Sequence, residues 1–396
     1  MILGQPASAI PSTIDPTMSL NFPSPREGLP SGDSGHAGVY DVLVLGAGPA
    51  GLSIGYELKQ RGLRFLLIER GQAAGESWRR MPVSLKLVSP WRANSLSGTR
   101  PGLFPQQYEM TRHEYYQYLR DYSAEHQLPV QSKEEVTQVA RDSDGLFRVT
   151  TSTGSYSSKL LVNATGSFSK PFIPGFDGAA DSPIPQVHVA EYRDPEHLRA
   201  LVGGRTGPVL IVGKRLSAGQ TLVELVEAGF EVALSHRSEI RFGSGLLGRW
   251  LFFCIFPELE ALKIRVWGQN ACGFDVLMEG GVARRLIRSG AVKTYPDVNR
   301  FQGASVLFKD GTRLKPSAVI YATGFRPALD HLHELLVTVP DRRRLPPLNG
   351  MESVVVPGLF FLGLEHQRNM QSQYLRGIRK DAVLLAEELN GLLRRR

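Results

Sequence analysis

The residues with the plainest chemical purpose stand at Gly46-Ala-Gly48-Pro-Ala-Gly51. The first glycine permits a tight turn, the second lets the backbone approach a pyrophosphate, and the third lets a helix pack closely on a strand. Amides at the start of that helix would face the phosphates. Glu69 follows at about the 20-residue distance at which a carboxylate accepts hydrogen bonds from a ribose 2′-hydroxyl. Such an acid disfavours a 2′-phosphate, so this corner suits FAD or NAD rather than NADP. The plain alternative is a glycine-rich turn without a ligand.

A second corner stands at Gly213-Lys-Arg215-Leu-Ser-Ala218. Its first glycine is present and its third position is small, but Arg215 replaces the middle glycine. Two readings stay open. Arg215 swings out or pairs with the phosphates, and the site still takes a nucleotide; or the corner has lost its dinucleotide. Ser235, His236 and Arg237 follow the next apolar run. An arginine there, with no competing acid, fits the 2′-phosphate of NADPH, while the bland reading makes Arg237 a surface charge.

Regular elements must hold these corners. Val39–Leu45 is a short apolar run ending in glycine, as a buried parallel strand does. A helical stretch runs to about Arg61, and Phe65–Glu69 reads as a second strand, completing one βαβ unit. Pro208–Val212, a helix over Ser217–Glu227 and Glu231–Ser235 repeat the pattern. Between the units Glu114–His126 reads as helix and Phe147–Ser152 as strand. Leu160–Gly166 and Ala318–Gly324 are strands that run into Ala-Thr-Gly turns. Leu359–Gly363 is a further buried strand, and Lys380–Leu393 an amphipathic closing helix. The fold class is therefore α/β, with two dinucleotide-binding (Rossmann-like) domains. The first, 39–172 with 319–396, is discontinuous, and the second, 173–318, is inserted into it.

The 396 residues allow two or three domains, and 42% hydrophobic with 21% charged residues is ordinary for a globular protein. No apolar run is long enough for a membrane-spanning helix. Leu246–Phe256 reads as a buried helix, a substrate-channel wall or a weak membrane-surface contact. Cys254 and Cys272 are too far apart for a Cys-x-x-Cys redox pair, which excludes a dithiol beside a flavin. The net charge of +8 comes with no aromatic-interleaved basic stripe, so nucleic acid is not an expected partner. Residues 1–38 are rich in Pro, Ser and Gly and read as a disordered tail lacking secretory or transit features. The histidines show no metal-ligand spacing, and no metal is expected.

Further segments carry a family resemblance. Gly75-Glu-Ser-Trp78 is similar to a Gly-Gly-x-Trp segment that packs near a flavin, with Glu76 in place of the second glycine. Phe176-Asp-Gly178, followed by His188 and Tyr192, is similar to a Phe-x-Gly…His…Tyr/Phe fingerprint, with a longer glycine-to-histidine spacing. Asn163-Ala-Thr-Gly166 and Tyr321-Ala-Thr-Gly324 are similar to two linker segments. Over residues 39–396 this set resembles the flavin-containing monooxygenases, single-component and dependent on FAD and NADPH, in a bacterial and indole-pyruvate-monooxygenase-like branch. Arg193 stands where Baeyer–Villiger relatives carry Trp-Pro, which favours the heteroatom-oxygenating and oxidatively decarboxylating branches. Leu85–Pro90 lies where animal-type members carry an active-site Asn; Ser89 or Asn94 would serve instead, or both are loop residues. His188 is a linker-packing or a catalytic residue.

The expected cofactor contacts are Gly46, Gly48, Pro49, Ala50, Gly51, Glu69, Arg70, Trp78, Ser89, Val136, Thr165, Gly166, Thr323 and Gly324, with Gly213, Lys214, Arg215, Ser217, Ala218, Ser235 and Arg237 on the second unit. The resemblance implies that NADPH reduces FAD, that reduced flavin and O2 form a hydroperoxide at flavin C4a, and that the protein keeps this adduct dry while a small organic substrate is oxygenated. It implies a cytoplasmic enzyme. The alternatives are an NADPH oxidase or dehydrogenase without oxygen transfer, and a degenerate flavin-binding scaffold with an impaired NADPH site.

Overall fold

In the strand Tyr40–Leu45 successive side chains enter different cores. Val42 and Val44 join Leu67, Leu160, Val162 and Phe360 on one face of the sheet. Leu43 and Leu45 join Leu66, Ile68, Leu161 and Phe361 on the other. A strand covered on both faces must be apolar at every position, which explains the unbroken runs. The computed structural model describes residues 38–99, 110–243, 277–278, 280–335, 345–365, 367–368 and 371–395. The expectations for the tail 1–37, for Leu246–Phe256 and for both cysteines lie outside the described residues.

The parallel part of the first sheet runs Leu359–Phe361, Ser155–Asn163, Tyr40–Leu45, Phe65–Glu69, Val130–Ser132. Val136–Arg141 and Phe147–Thr151 add an antiparallel layer through Ser155–Asn163. Helices Pro49–Gln60, Arg112–Glu125 and Leu375–Arg395 cover the first face. Thr111 and Glu114 form a reciprocal capping box that fixes the start of Arg112–Glu125, two residues before the expected Glu114.

The second sheet is wholly parallel, in the order Lys293–Tyr295, Val232–Ser235, Val209–Val212, Ala318–Tyr321, Gln186–His188. The helix Leu216–Glu227 covers one face. A three-stranded antiparallel sheet, Val298–Gln302, Ser305–Phe308 and Arg313–Leu314, covers the other with Val298, Phe301, Val306 and Phe308. Ala318–Tyr321, at whose second residue the return to the first domain is expected, pairs inside this second sheet along its whole length.

Candidate functional site

The first corner has three glycines with three different reasons. Gly46 has φ +99°, and a Cβ there would lie 2.8 Å from the Ala164 carbonyl oxygen. A Cβ on Gly51 would lie 1.9 Å from the Gly46 carbonyl oxygen. The fold itself demands both. Gly48 is extended (φ −79°, ψ −169°), and a Cβ there would meet nothing within 4 Å. Its missing side chain leaves an open face over the first turn of Pro49–Gln60. That turn has no side-chain cap and no acidic residue, and Pro49 occupies its first position. A backbone-lined opening at a bare helix start suits a pyrophosphate, and a side chain at Gly48 would stand in it.

Glu69 is fixed beside this opening. Its Oε2 accepts from the Ala47 N–H at 2.9 Å and its Oε1 from the Gly71 N–H at 2.7 Å. Each oxygen keeps capacity for another donor. At Gly363 the end of a neighbouring strand reaches the corner. A Cβ there would stand 3.4 Å from that of Ala50, and its carbonyl accepts from the Ser167 hydroxyl at 2.8 Å. The corner thus lies outside the carboxyl ends of three parallel strands, where ligands of open α/β sheets bind. Trp78 is half-buried with its ring edge-on to Tyr115 at 4.5 Å. Arg70 is exposed just past Glu69, and Val136 packs into the antiparallel side of the core.

The Thr165 hydroxyl accepts from Asn163 Nδ2 at 3.1 Å, and Asn163 Oδ1 lies 2.9 Å from His331 Nε2. An amide oxygen only accepts, so Nε2 carries the proton. Burial pushes the His331 imidazole down to about 4. His331 was not among the expected residues; a lone histidine in a short turn carries no sequence signal. Gly166, at φ +84°, continues the turn with open space over its Cα. The Ser89 hydroxyl donates to Asn94 Oδ1, and Asn94 Nδ2 donates back to the Ser89 carbonyl at 2.8 Å. Asn94 is fully buried and its own carbonyl accepts from the Tyr115 hydroxyl at 3.0 Å. These two residues hold one another and their loop.

At the second corner Gly213 has φ +155°, and a Cβ there would lie 2.5 Å from the Ala322 carbonyl oxygen. Arg215 takes the N-cap with φ −104° and ψ −169°, nearly the backbone of Gly48. That conformation costs an arginine nothing. Ala218 is fully buried, so this corner has room for the methyl that Gly51 lacks. Lys214 Nζ donates to the Glu239 carbonyl at 3.3 Å, and Ser217 is exposed beside Arg215. Arg237 is exposed past the strand end, whereas the Ser235 hydroxyl is buried and donates to the Pro296 carbonyl at 2.7 Å.

His188 is wholly buried where the two sheets are joined. Its Nδ1 accepts from the Ala190 N–H at 3.1 Å, and its Nε2 lies 3.0 Å from the Gly324 carbonyl, which fixes the proton on Nε2. Burial lowers its proton affinity. The same carbonyl accepts from the Phe172 N–H at 3.0 Å, and the Thr323 hydroxyl donates to the Phe172 carbonyl. His188 and Thr323 therefore tie the linker. Among the described residues no group of three or more His, Cys, Asp or Glu is placed to hold a metal ion. Among them, too, no helix is long and apolar enough to cross a membrane.

The model of the pyridine nucleotide-disulphide oxidoreductase family matches residues 43–363. The chain belongs to this family. A Geobacillus kaustophilus protein named "uncharacterized oxidoreductase CzcO-like" is 33% identical over 355 residues, covering 89% of this chain and 98% of that one. Indole-3-pyruvate monooxygenase YUCCA8 of Oryza sativa is 29% identical over 331 residues, covering 72% and 75%. A flavin-containing monooxygenase from Stenotrophomonas maltophilia superposes with a TM-score of 0.76 at 25% identity, over 90% of this chain and 99% of its own. This member of the family is a flavin-monooxygenase-like oxidoreductase with two dinucleotide-binding units, and FAD and NADPH are its cofactors. The dithiol chemistry in the family's name has no Cys-x-x-Cys pair to perform it here.

Proposed function

We propose that this enzyme consumes NADPH and O2 to oxygenate a small organic molecule in the cytoplasm, at nitrogen or sulfur or with loss of a carboxylate. The reading is carried by the open face of Gly48 on a corner whose other two glycines the fold already requires. Residues 46–51 would hold the FAD diphosphate, with the amides of Ala50 and Gly51 as donors, and Glu69 would accept from its adenosine ribose. Trp78, backed by Tyr115, walls the flavin side and excludes water. When bound, FAD would supply the redox and oxygen-activating chemistry, with NADPH as the reductant. Residues 213–218 would hold NADPH, where the Arg215 guanidinium would replace the lost backbone approach with a charge-assisted contact to phosphate. Arg237, exposed past the strand end, would pair with the 2′-phosphate. The flavin domain comprises residues 39–172 and the chain after Tyr321; the NADPH domain lies between. His188 positions the linker at Gly324, since both of its nitrogens are taken up by backbone.

Anaerobic NADPH addition followed by mixing with oxygen tests this. The flavin absorbance should bleach, and a transient oxygenated-flavin spectrum should precede full reoxidation. Bleaching with direct reoxidation would make the protein an oxidase. A flavin that NADPH does not bleach would make it a scaffold.

A further inference from the structure

Phe168 and Phe325 stand just past the two Ala-Thr-Gly turns. Their rings meet edge to face, with centroids 5.7 Å apart at 84°. Phe325 is half-buried and also meets the His188 ring at 4.9 Å, whereas Phe168 is 53% exposed. A ring left this far in water forgoes much of the stabilisation that burial brings. Its backbone is nevertheless held on both sides. The Ser167 hydroxyl donates to the Gly363 carbonyl at 2.8 Å. The Ser169 hydroxyl donates to the Gly166 carbonyl at 2.9 Å and accepts from the Ala328 N–H at 2.9 Å. An uncovered ring on a fixed turn is what a binding surface needs.

The place of the ring points to its ligand. The Ala164 carbonyl buttresses Gly46 of the first corner, and the Ala322 carbonyl buttresses Gly213 of the second. Phe168 follows Ala164 by four residues and Phe325 follows Ala322 by three. Even a fully extended chain keeps them within about 14 Å and about 11 Å of those alanines. Both turns leave the carboxyl end of a parallel strand, the side on which such sheets bind ligands. A flavin and a nicotinamide held by the two corners would have to meet between them, and a substrate oxygenated at the flavin would have to come to the same place.

The polar groups nearest in sequence are engaged elsewhere. Lys170 Nζ pairs with Asp330 at 3.1 Å, and the Arg326 guanidinium lies 3.9 Å over the Phe172 ring. The carboxamide of a nicotinamide asks for an O–H or N–H donor, and both serine hydroxyls beside Phe168 already donate to backbone. An uncharged aryl group asks for none and packs on a ring by offset or edge stacking.

We propose that Phe168 is a specificity-determining wall of the substrate pocket and selects substrates that carry an uncharged aromatic ring. The proposal rests on the monooxygenase reading above.

The test titrates the oxidised holoenzyme with thioanisole and with dimethyl sulfide, which has the sulfur without the ring, following the flavin absorption spectrum. Phe168→Ala should raise the thioanisole dissociation constant about tenfold and leave that of dimethyl sulfide within about twofold. Phe168→Tyr, which keeps a ring, should bind thioanisole as the wild type does, and Phe168→Leu should fall between. Flavin content and melting temperature should stay unchanged throughout. A wild type whose spectrum thioanisole does not perturb would overturn the proposal. So would an equal loss for both sulfides, or a loss of flavin from Phe168→Ala, since either marks a role other than ring selection. Anaerobic bleaching by NADPH followed by oxygen mixing, run on the same wild-type preparation, tests the underlying reading separately. Its failure would overturn the monooxygenase assignment and the substrate role together, whereas a failed titration alone overturns only the role of Phe168.

Discussion

At the first corner Gly46 turns with the Ala164 carbonyl 2.8 Å from the place of its Cβ, and at the second Gly213 turns with the Ala322 carbonyl at 2.5 Å. Each turn is buttressed by the alanine of an Ala-Thr-Gly segment. Past that point the corners diverge. Gly51 lies too close to the Gly46 carbonyl for a methyl, whereas Ala218 is buried with one. Gly48 and Arg215 have nearly the same backbone angles, yet one position is bare and the other carries a guanidinium. The difference separates glycines that the chain needs to fold from a glycine that no packing contact requires.

The largest expected effect breaks the comparison at its third position. Gly51→Ala places a methyl against backbone and should cost about 3 kcal/mol or more. Ala218→Gly, the reverse change, should cost about 1 kcal/mol. Thermal melts of the two variants measure both, and a Gly51→Ala protein as stable as the wild type would refute the distinction.

Both exit segments carry a buried histidine that resists protonation. His331, which holds Asn163 and through it Thr165, is displaced from 6.5 to about 4 by burial. The unfolded chain therefore binds the proton first as pH falls, so stability is full above about 6.5 and drains away until about 4. The loss amounts to about 3 kcal/mol at most, at roughly 1.4 kcal/mol per pH unit. His188 is lowered in the same direction. Urea unfolding across this range, repeated on His331→Gln, should show a shallower decline in the variant, and an identical decline would remove His331 as its cause.

At the middle position Arg215→Ala should raise the KM for NADPH about tenfold, the worth of roughly one charged hydrogen bond, with flavin content unchanged. A fall in KM would show that the arginine obstructs the corner. The smallest stability change belongs to Gly48→Ala, within about 0.5 kcal/mol in a melt. The same variant should bind FAD more weakly, because the new methyl stands where a diphosphate would approach the backbone. If its melt dropped by several degrees, Gly48 would be another glycine of the fold.

Both βαβ units were legible because their strands are covered on two faces and their turns need glycine. The antiparallel layers were much less so. Only Phe147–Ser152 stood out, since short strands with one solvent face, such as Val298–Gln302, show an irregular burial pattern. The closing helix begins at Leu375 rather than Lys380; Gly377 resembles a helix stop but is packed against the Gln371 carbonyl, 2.1 Å from where its Cβ would lie. Composition cannot tell which way a hydroxyl points, so Ser235 was expected at a ligand and lies turned into the sheet. Glu76 was visible only as a departure from a pattern, and its burial beside Arg79 is a matter of packing that spacing does not report.

Lys170–Pro171 and Phe325–Arg326 run antiparallel side by side, so the chain goes out to the second sheet and comes back through a single doorway. A lobe attached in this way is a cassette. Both splice points of an exchange with a relative would lie only one strand-spacing apart, and no strand of the host sheet would be reordered.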